Sequence, residues 1–260
     1  MGMKLTNRIA LVTGASSGIG RATALALAGE GMKLLICARA ASIDKLNALS
    51  AELIAAGAAA VHVFAMDVRV RAEVKTTLAA LPDEWQHIEL LVNNAGLAMG
   101  MEKMYLDDPD HWDAMIDTNV KGLLYVTRAV LPGMVQRNAG HVVNLGSTAA
   151  YLAYAGGGVY CATKAAEKML SDAMRIDLMG TAVRVTSVDA GMVETNFSKV
   201  RFPNDAERAA KVYANITPLT PEDVADAIVF AVTRPAHVNV SNVVIMPVQQ
   251  ANAVTFHRNA

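Results

Sequence analysis

The stretch that most narrows what this chain can fold into is Thr13-Gly14-Ala15-Ser16-Ser17-Gly18-Ile19-Gly20, set between the apolar run Arg8-Ile9-Ala10-Leu11-Val12 and a helical pattern from Ala22 to Ala28. Glycines between a strand and a helix let the backbone turn tightly and approach a diphosphate, whose charge the helix N-terminus favours. The spacing is GxxxGxG rather than GxGxxG, and no Lys-Ser or Lys-Thr follows, which argues against a P-loop. On its own such a trio also describes an ordinary Gly-rich loop, so the remainder of the chain must decide.

That remainder alternates. Residues 33–38, 61–66, 88–92, 141–145, 183–188 and 242–246 read as further strands, and 43–56, 74–81, 112–137 and 160–178 carry helical periodicity. Thr220-Pro221-Glu222-Asp223 is a helix start, with proline in the first turn and acids near the positive end of the dipole. Strands alternating with helices mean βαβ units, and residues 1–260 are predicted to form one doubly wound α/β domain with seven mostly parallel strands and helices on both faces. Pro132-Gly133 is expected to bend or interrupt the long fourth helix. Over 192–217 the pattern weakens, which suits a lid that closes over a substrate.

In such sheets ligands sit beyond the carboxyl ends of the strands, and Asp67, Asn93-Asn94-Ala95-Gly96, Gly146-Ser147 and Asp189-Ala190-Gly191 all fall there. Nucleotide folds that bind an unphosphorylated ribose keep an acid about 20 residues beyond the glycines. Here the second strand ends in Ala38-Arg39. A cation without the acid favours NADP over NAD, and Ser16 or Ser17 would add hydroxyl contacts; a surface arginine is the alternative.

Composition removes other classes of function. Although 53% of the residues are hydrophobic, the longest run without Asp, Glu, Lys or Arg, between Arg137 and Lys164, is broken by Asn144, Ser147, Thr148 and Gly156-Gly157-Gly158. A membrane span would hardly carry these together. The apolar stretch after Arg8 stops at Thr13-Gly14, too short for a signal-peptide core. A net charge of −1 without a basic block leaves neither nucleic acid nor an anionic membrane as a natural partner. Cys37 and Cys161 lack CxxC spacing and suit a reducing cytoplasm, and the six histidines form no i, i+4 pair, so no metal is expected.

Chemistry is concentrated in Tyr160-Cys161-Ala162-Thr163-Lys164. On a helix the tyrosine and lysine project from one face. An ammonium beside a phenol favours the phenolate, so a group that ordinarily titrates near about 10 can trade protons closer to neutrality. Taken alone, the pair also fits a half-buried core tyrosine and a solvated lysine.

These residues together resemble the short-chain dehydrogenases/reductases over essentially the whole chain. The likeness is carried by Thr13-Gly14 with Gly18 and Gly20, Asp67, Asn93-Asn94-Ala95-Gly96, Asn119, Ser147, Tyr160 with Lys164, and Gly191 with Thr195. It implies a Rossmann-type fold binding NADP(H). Ser147 would hydrogen-bond a carbonyl, Tyr160 would donate its proton as hydride arrives, and Lys164 would make the tyrosine more acidic and hold the nicotinamide ribose. Asn119 would anchor a water that passes protons to bulk. The implied cofactor contacts are Gly14, Ser16, Ser17, Gly18, Ile19, Gly20, Arg39, Asp67, Val68, Asn94, Ala95, Gly96, Tyr160, Lys164, Gly191, Val193 and Thr195. The family usually has Pro-Gly where this chain has Ala190-Gly191, which predicts a looser loop beside the nicotinamide.

A narrower resemblance is to the NADP-dependent 3-hydroxy acid dehydrogenases, which oxidise serine and 3-hydroxypropionate and reduce malonic semialdehyde; sulfoacetaldehyde reductases look similar too. It rests on Glu84-Trp85, Met115 to Asn119, Thr127 to Val135, Tyr154-Ala155-Gly156-Gly157, Val200-Arg201-Phe202 and Pro235 to Asn239. Both groups handle short carbonyl compounds with an anionic tail, which calls for a cation and hydroxyls in the pocket. Beside Ser147 and Tyr160, the candidate substrate contacts are Tyr154, Arg201 and Gln250. The resemblance also implies a homotetramer, a dimer of dimers. A catalytically silent nucleotide sensor or scaffold is the alternative of another class, and the intact Ser147, Tyr160 and Lys164 count against it.

Overall fold

β1 (Ile9–Thr13) is buried along its whole length, because both faces of its sheet are covered; this is why it reads as a continuous apolar run and not an alternation. The computed structural model, which describes residues 2–203 and 205–259, sets β1 third in a seven-stranded sheet of order β3-β2-β1-β4-β5-β6-β7. The others are β2 (Lys33–Ala38), β3 (Ala60–Ala65), β4 (Ile88–Asn93), β5 (Gly140–Ser147), β6 (Val183–Ala190) and β7 (Asn242–Ile245). Every pairing is parallel, where mostly parallel was expected.

Alternate residues of each strand feed two cores. Ala10 and Val12 face α1 (Gly18–Gly29), α2 (Ile43–Ala55) and α9 (Pro221–Val232), packing with Leu27, Leu46, Leu53 and Ile228. Ile9 and Leu11 face the other way, toward α3 (Arg71–Ala79), α5 (Leu123–Gln136) and α6 (Gly158–Asp177), among Val74, Val126, Met134 and Met174. Each leucine wholly removed from water contributes about 1.5–3 kcal/mol, so two such layers hold the strands' carboxyl ends in fixed register.

The long fourth helix is not interrupted where the proline suggested. The chain runs through α4 (Pro109–Met115), a π-helical segment (Ile116–Gly122) and α5, which continues past Pro132 to Gln136. Pro132 and Arg128 both lie on the exposed side of α5. The Arg128 carbonyl that the proline leaves unbonded can therefore face water, and the helix survives. The irregularity falls upstream, at the widened turn that carries Asn119.

α9 begins at Pro221 behind a capping box, in which Asp223 Oδ2 accepts from Thr220 N at 2.7 Å and Thr220 Oγ1 accepts from Asp223 N at 3.3 Å. The weakly patterned region holds α7 (Phe197–Arg201) and α8 (Ala206–Lys211). Its two ends are stapled, since Glu194 N donates to Leu219 O and Leu219 N to Met192 O, both at 2.9 Å. No helix among the described residues is long and apolar enough to cross a membrane.

Candidate active site

The strand order reverses at β1, between β2 and β4, and the crevice beyond their carboxyl ends is where such sheets bind ligands. The loops after β1 and β4 are locked together there. Thr13 Oγ1 accepts from the backbone N–H groups of Asn94 and Ala95, each at 3.0 Å, and Asn94 Nδ2 donates to Thr13 O at 2.8 Å. Gly14 and Gly18 have φ of +65° and +53°, and a Cβ on Gly20 would come within 2.5 Å of Gly14 O. Only glycine fits this cradle. Ser17 precedes α1 without spending its hydroxyl on the helix, so that hydroxyl and the first N–H groups of α1 remain available to a diphosphate.

A cleft of about 710 Å³ opens above this cradle. Every residue singled out for cofactor or substrate lines it except Gly20, which lies beneath; of the four catalytic candidates only Asn119 does not. The bare glycine turn, the unspent serine and the helix terminus fit a dinucleotide. At its far end Arg39 lies exposed and Asp67 is clamped by Arg69, whose Nε and Nη2 donate to the carboxylate at 3.0 and 2.7 Å. That hydrogen bond holds the Asp67 carboxyl below the usual carboxylate range. Arg69 lines the cleft as well and was missed, because Asp-x-Arg is too common a spacing to signal anything.

At the other end α6 places Tyr160 and Lys164 one turn apart. The Tyr160 phenol opens on the cleft, and its ring packs edge-on against Phe197 with centroids 5.7 Å apart. Ser147 closes β5; its Oγ accepts from Ala149 N at 3.1 Å, and among the described residues its O–H has no acceptor. Two hydroxyl donors thus open on one space, the arrangement that stabilises charge developing on a carbonyl oxygen. Lys164 is buried, with Nζ donating to Leu145 O at 2.7 Å and to Glu167 Oε2 at 2.8 Å. Burial works against the ammonium, yet the Glu167 carboxylate and Tyr160 outweigh it and hold the lysine above its ordinary value.

Asn119 does structural work. Its amide exchanges two 2.9 Å hydrogen bonds with the backbone of Leu97 and donates to Thr163 Oγ1 at 3.0 Å. Both side-chain donors are thereby spent on tying the loop after β4 to α6. Ala190 continues β6 in register with Ser147 and Ile245, and Gly191 N donates to Ile245 O at 2.8 Å, so the loop is anchored where it begins.

The substrate candidates converge in part. Arg201 reaches from α7 to donate to Gly100 O at 2.8 Å and to the Tyr154 hydroxyl at 3.0 Å, and its guanidinium lies 5.8 Å from the Tyr160 ring centre. Burial pushes the Tyr154 phenol up to about 12, so it remains a neutral donor. Gln250 has its amide committed at both ends, accepting from Met192 N at 2.7 Å and donating to Asn252 O at 3.0 Å; it ties the tail to the first residue of the 192–217 segment. The tail's part in the cleft, through Phe256 and Arg258, was not foreseen. Arg258 donates to the carbonyls of Val212 and Ala214, joining the tail to the segment after α8. Among the described residues no group of three or more His, Cys, Asp or Glu could hold a metal ion.

Comparison with known proteins bears on this geometry. A family model described as short chain dehydrogenase matches residues 8–206. The NADP-dependent 3-hydroxy acid dehydrogenase YdfG of Salmonella typhi is 48% identical over 253 residues, covering 96% of this chain and 100% of its own. The serine 3-dehydrogenase of Rhizobium radiobacter is 42% identical over 243 residues, 94% of this chain and 95% of its own. Among solved structures, a closed serine dehydrogenase complexed with NADP+ superposes with a TM-score of 0.89 at 47% identity, covering 96% of this chain and all of that one. The serine dehydrogenase of Escherichia coli gives 0.81 at 44% identity, covering 94% of this chain and 99% of that one.

Proposed function

This chain belongs to the short-chain dehydrogenase family, and from that premise we propose that it interconverts a short 3-hydroxy acid and its aldehyde acid, with 3-hydroxypropionate or serine oxidised and malonic semialdehyde reduced. It is an NADP-dependent oxidoreductase acting on CH–OH donors. The observation that carries the substrate reading is Arg201. Among the described residues this guanidinium has no carboxylate partner, lines the cleft and stacks over the Tyr160 ring. A substrate whose carbonyl meets Ser147 and Tyr160 would bring a carboxylate within its reach.

NADP(H) would supply or accept the hydride. Ser147 would hold the carbonyl oxygen, and Tyr160 would give that oxygen its proton during reduction or take it during oxidation. Lys164, with one N–H left after Leu145 and Glu167, would hold the ribose and keep positive charge beside the phenol. Asn119 would fix the loop on which the cofactor rests.

Arg39 and Arg69 are the guanidiniums at the cleft's far end, and Arg39 is the proposed reader of the 2′-phosphate. Arg39→Asp should lower the NADP over NAD preference in kcat/KM by about tenfold or more, the equivalent of about 1.4 kcal/mol. An unchanged ratio would give the phosphate to Arg69.

The substrate is tested by steady-state rates on aldehydes of one chain length ending in carboxylate, sulfonate or a neutral group. The carboxylate should have the highest kcat/KM. A higher value for sulfoacetaldehyde would make the protein a reductase forming isethionate, and absence of turnover on all three would move the substrate to larger ketones or sugars. We also propose that residues 192–217 act as a lid, that the protein works in the cytoplasm with both cysteines unpaired, and that it assembles as a homotetramer. Exposed Leu124 and Val135 on α5 and Met169 and Ile176 on α6 support the assembly.

A further inference from the structure

Glu167 is a buried acid that the catalytic scheme above does not use. It lies one turn beyond Lys164 on α6 with 2% of its surface exposed, and its Oε2 accepts from Lys164 Nζ at 2.8 Å. Its Oε1 is also buried and has no hydrogen-bond partner among the described residues. A charged carboxylate satisfied on one side only is costly to bury, so packing alone does not account for it.

The surroundings single out one task. Of the three Nζ hydrogens of Lys164, Leu145 O and Glu167 Oε2 take two, which fixes the ammonium between β5 and α6 and leaves the third for the cleft. We propose that Glu167 is a positioning residue for the reaction: it holds Lys164 Nζ in place and, when ionised, cancels part of the positive charge that Tyr160 feels. This rests on Tyr160 being the proton donor and acceptor.

Of the other charges, the Arg201 guanidinium lies 5.8 Å from the Tyr160 ring centre and adds positive charge there in wild type and variants alike. Asp189, at the end of β6, acts on the pair from the sheet face that α6 covers, and its carboxylate is already held by Ser187, Tyr151 and Asn242. β5 adds near the pair only Asn144 and the Leu145 carbonyl; its His141, like Arg184 of β6, lies at the opposite end of the strand. On the π-helical segment Asp117 pairs with Lys121, and on α4 His111 pairs with Asp107. The short turn after β5, Thr148–Ala150, carries no charge, though Tyr151 just beyond it donates to Asp189. Burial pushes the Glu167 carboxyl above the usual carboxylate range, against the pull of Lys164.

The sign of the effect follows. Alcohol oxidation needs the Tyr160 phenolate, so kcat/KM rises with pH. Removing the negative charge of Glu167 leaves Lys164 less compensated and favours the phenolate. Glu167→Gln, which keeps the shape and an acceptor, should move the rising limb of the kcat/KM profile to lower pH by about one unit. Glu167→Met, of similar volume and uncharged, should move it the same way and serves if the glutamine variant fails to fold. A limb that stays in place in either folded variant overturns the proposal, even where the melting temperature falls. Tyr160→Phe measured alongside separates the two readings, since turnover retained in that variant would remove the tyrosine's role and not that of Glu167 in particular.

Discussion

Tyr160→Phe should lower kcat by about 10³-fold, corresponding to about 4 kcal/mol of transition-state stabilisation, in the middle of the range for a positioned general acid. The substitution removes one oxygen and leaves the ring, so the contacts with Phe197 and the Arg201 guanidinium persist. Lys164 keeps Leu145 and Glu167, which hold it without help from the phenol. NADPH affinity, measured by fluorescence titration, should therefore stay close to wild type while the rate collapses. Comparable rates in the two proteins would assign the proton to another donor, Ser147 being an alternative hydroxyl on the same cleft.

Arg201→Ala should raise KM for a carboxylate-bearing aldehyde on the order of 10²-fold, the worth of about 2–3 kcal/mol for a hydrogen bond between charged partners. A neutral aldehyde of the same length should be little affected. The contrast matters because the arginine does more than carry charge. It donates to Gly100 O and lies over the Tyr154 and Phe202 rings, so alanine should also loosen α7 against the loop after β4. Loosening penalises all substrates alike, whereas the charge penalises only the anion. Arg201→Lys keeps the charge without the planar fork and should recover part of the carboxylate KM. Equal losses for charged and neutral substrates would mean that the arginine serves closure alone.

Much of the site was legible because the relevant signals are local. The glycines announce a turn that no other residue can make, and Tyr160 with Lys164 are one turn apart on any helix. The strand ends stand out because a fully covered parallel strand reads as an apolar run, and polar residues at its end then need a reason to be there. Where local rules were ambiguous, reading went astray. Pro132 suggested a bend or an interruption, and its exposed position lets α5 run on uninterrupted, while the widened turn at Asn119 had no marker at all. Gln250 does line the cleft, but the commitment of its amide to Met192 and Asn252 could not be read locally, because those partners meet it only when the tail folds back.

By itself the amino-acid order determined the succession of strands and helices, the phosphate cradle and the face on which phenol and amine stand, because each depends on periodicities of a few residues. Tertiary structure decided what those groups are worth. Arg201 meets Tyr154 and Gly100 only because α7 packs on the loops following β4 and β5, and Arg69 counts only because its strand end borders the cleft. Glu167 is the sharpest instance: three residues from Lys164 it would be an ordinary solvated pair on a surface helix. The packing of α6 against β5 and β6 takes both charges out of water, and in that low-dielectric setting a short separation becomes a strong coupling.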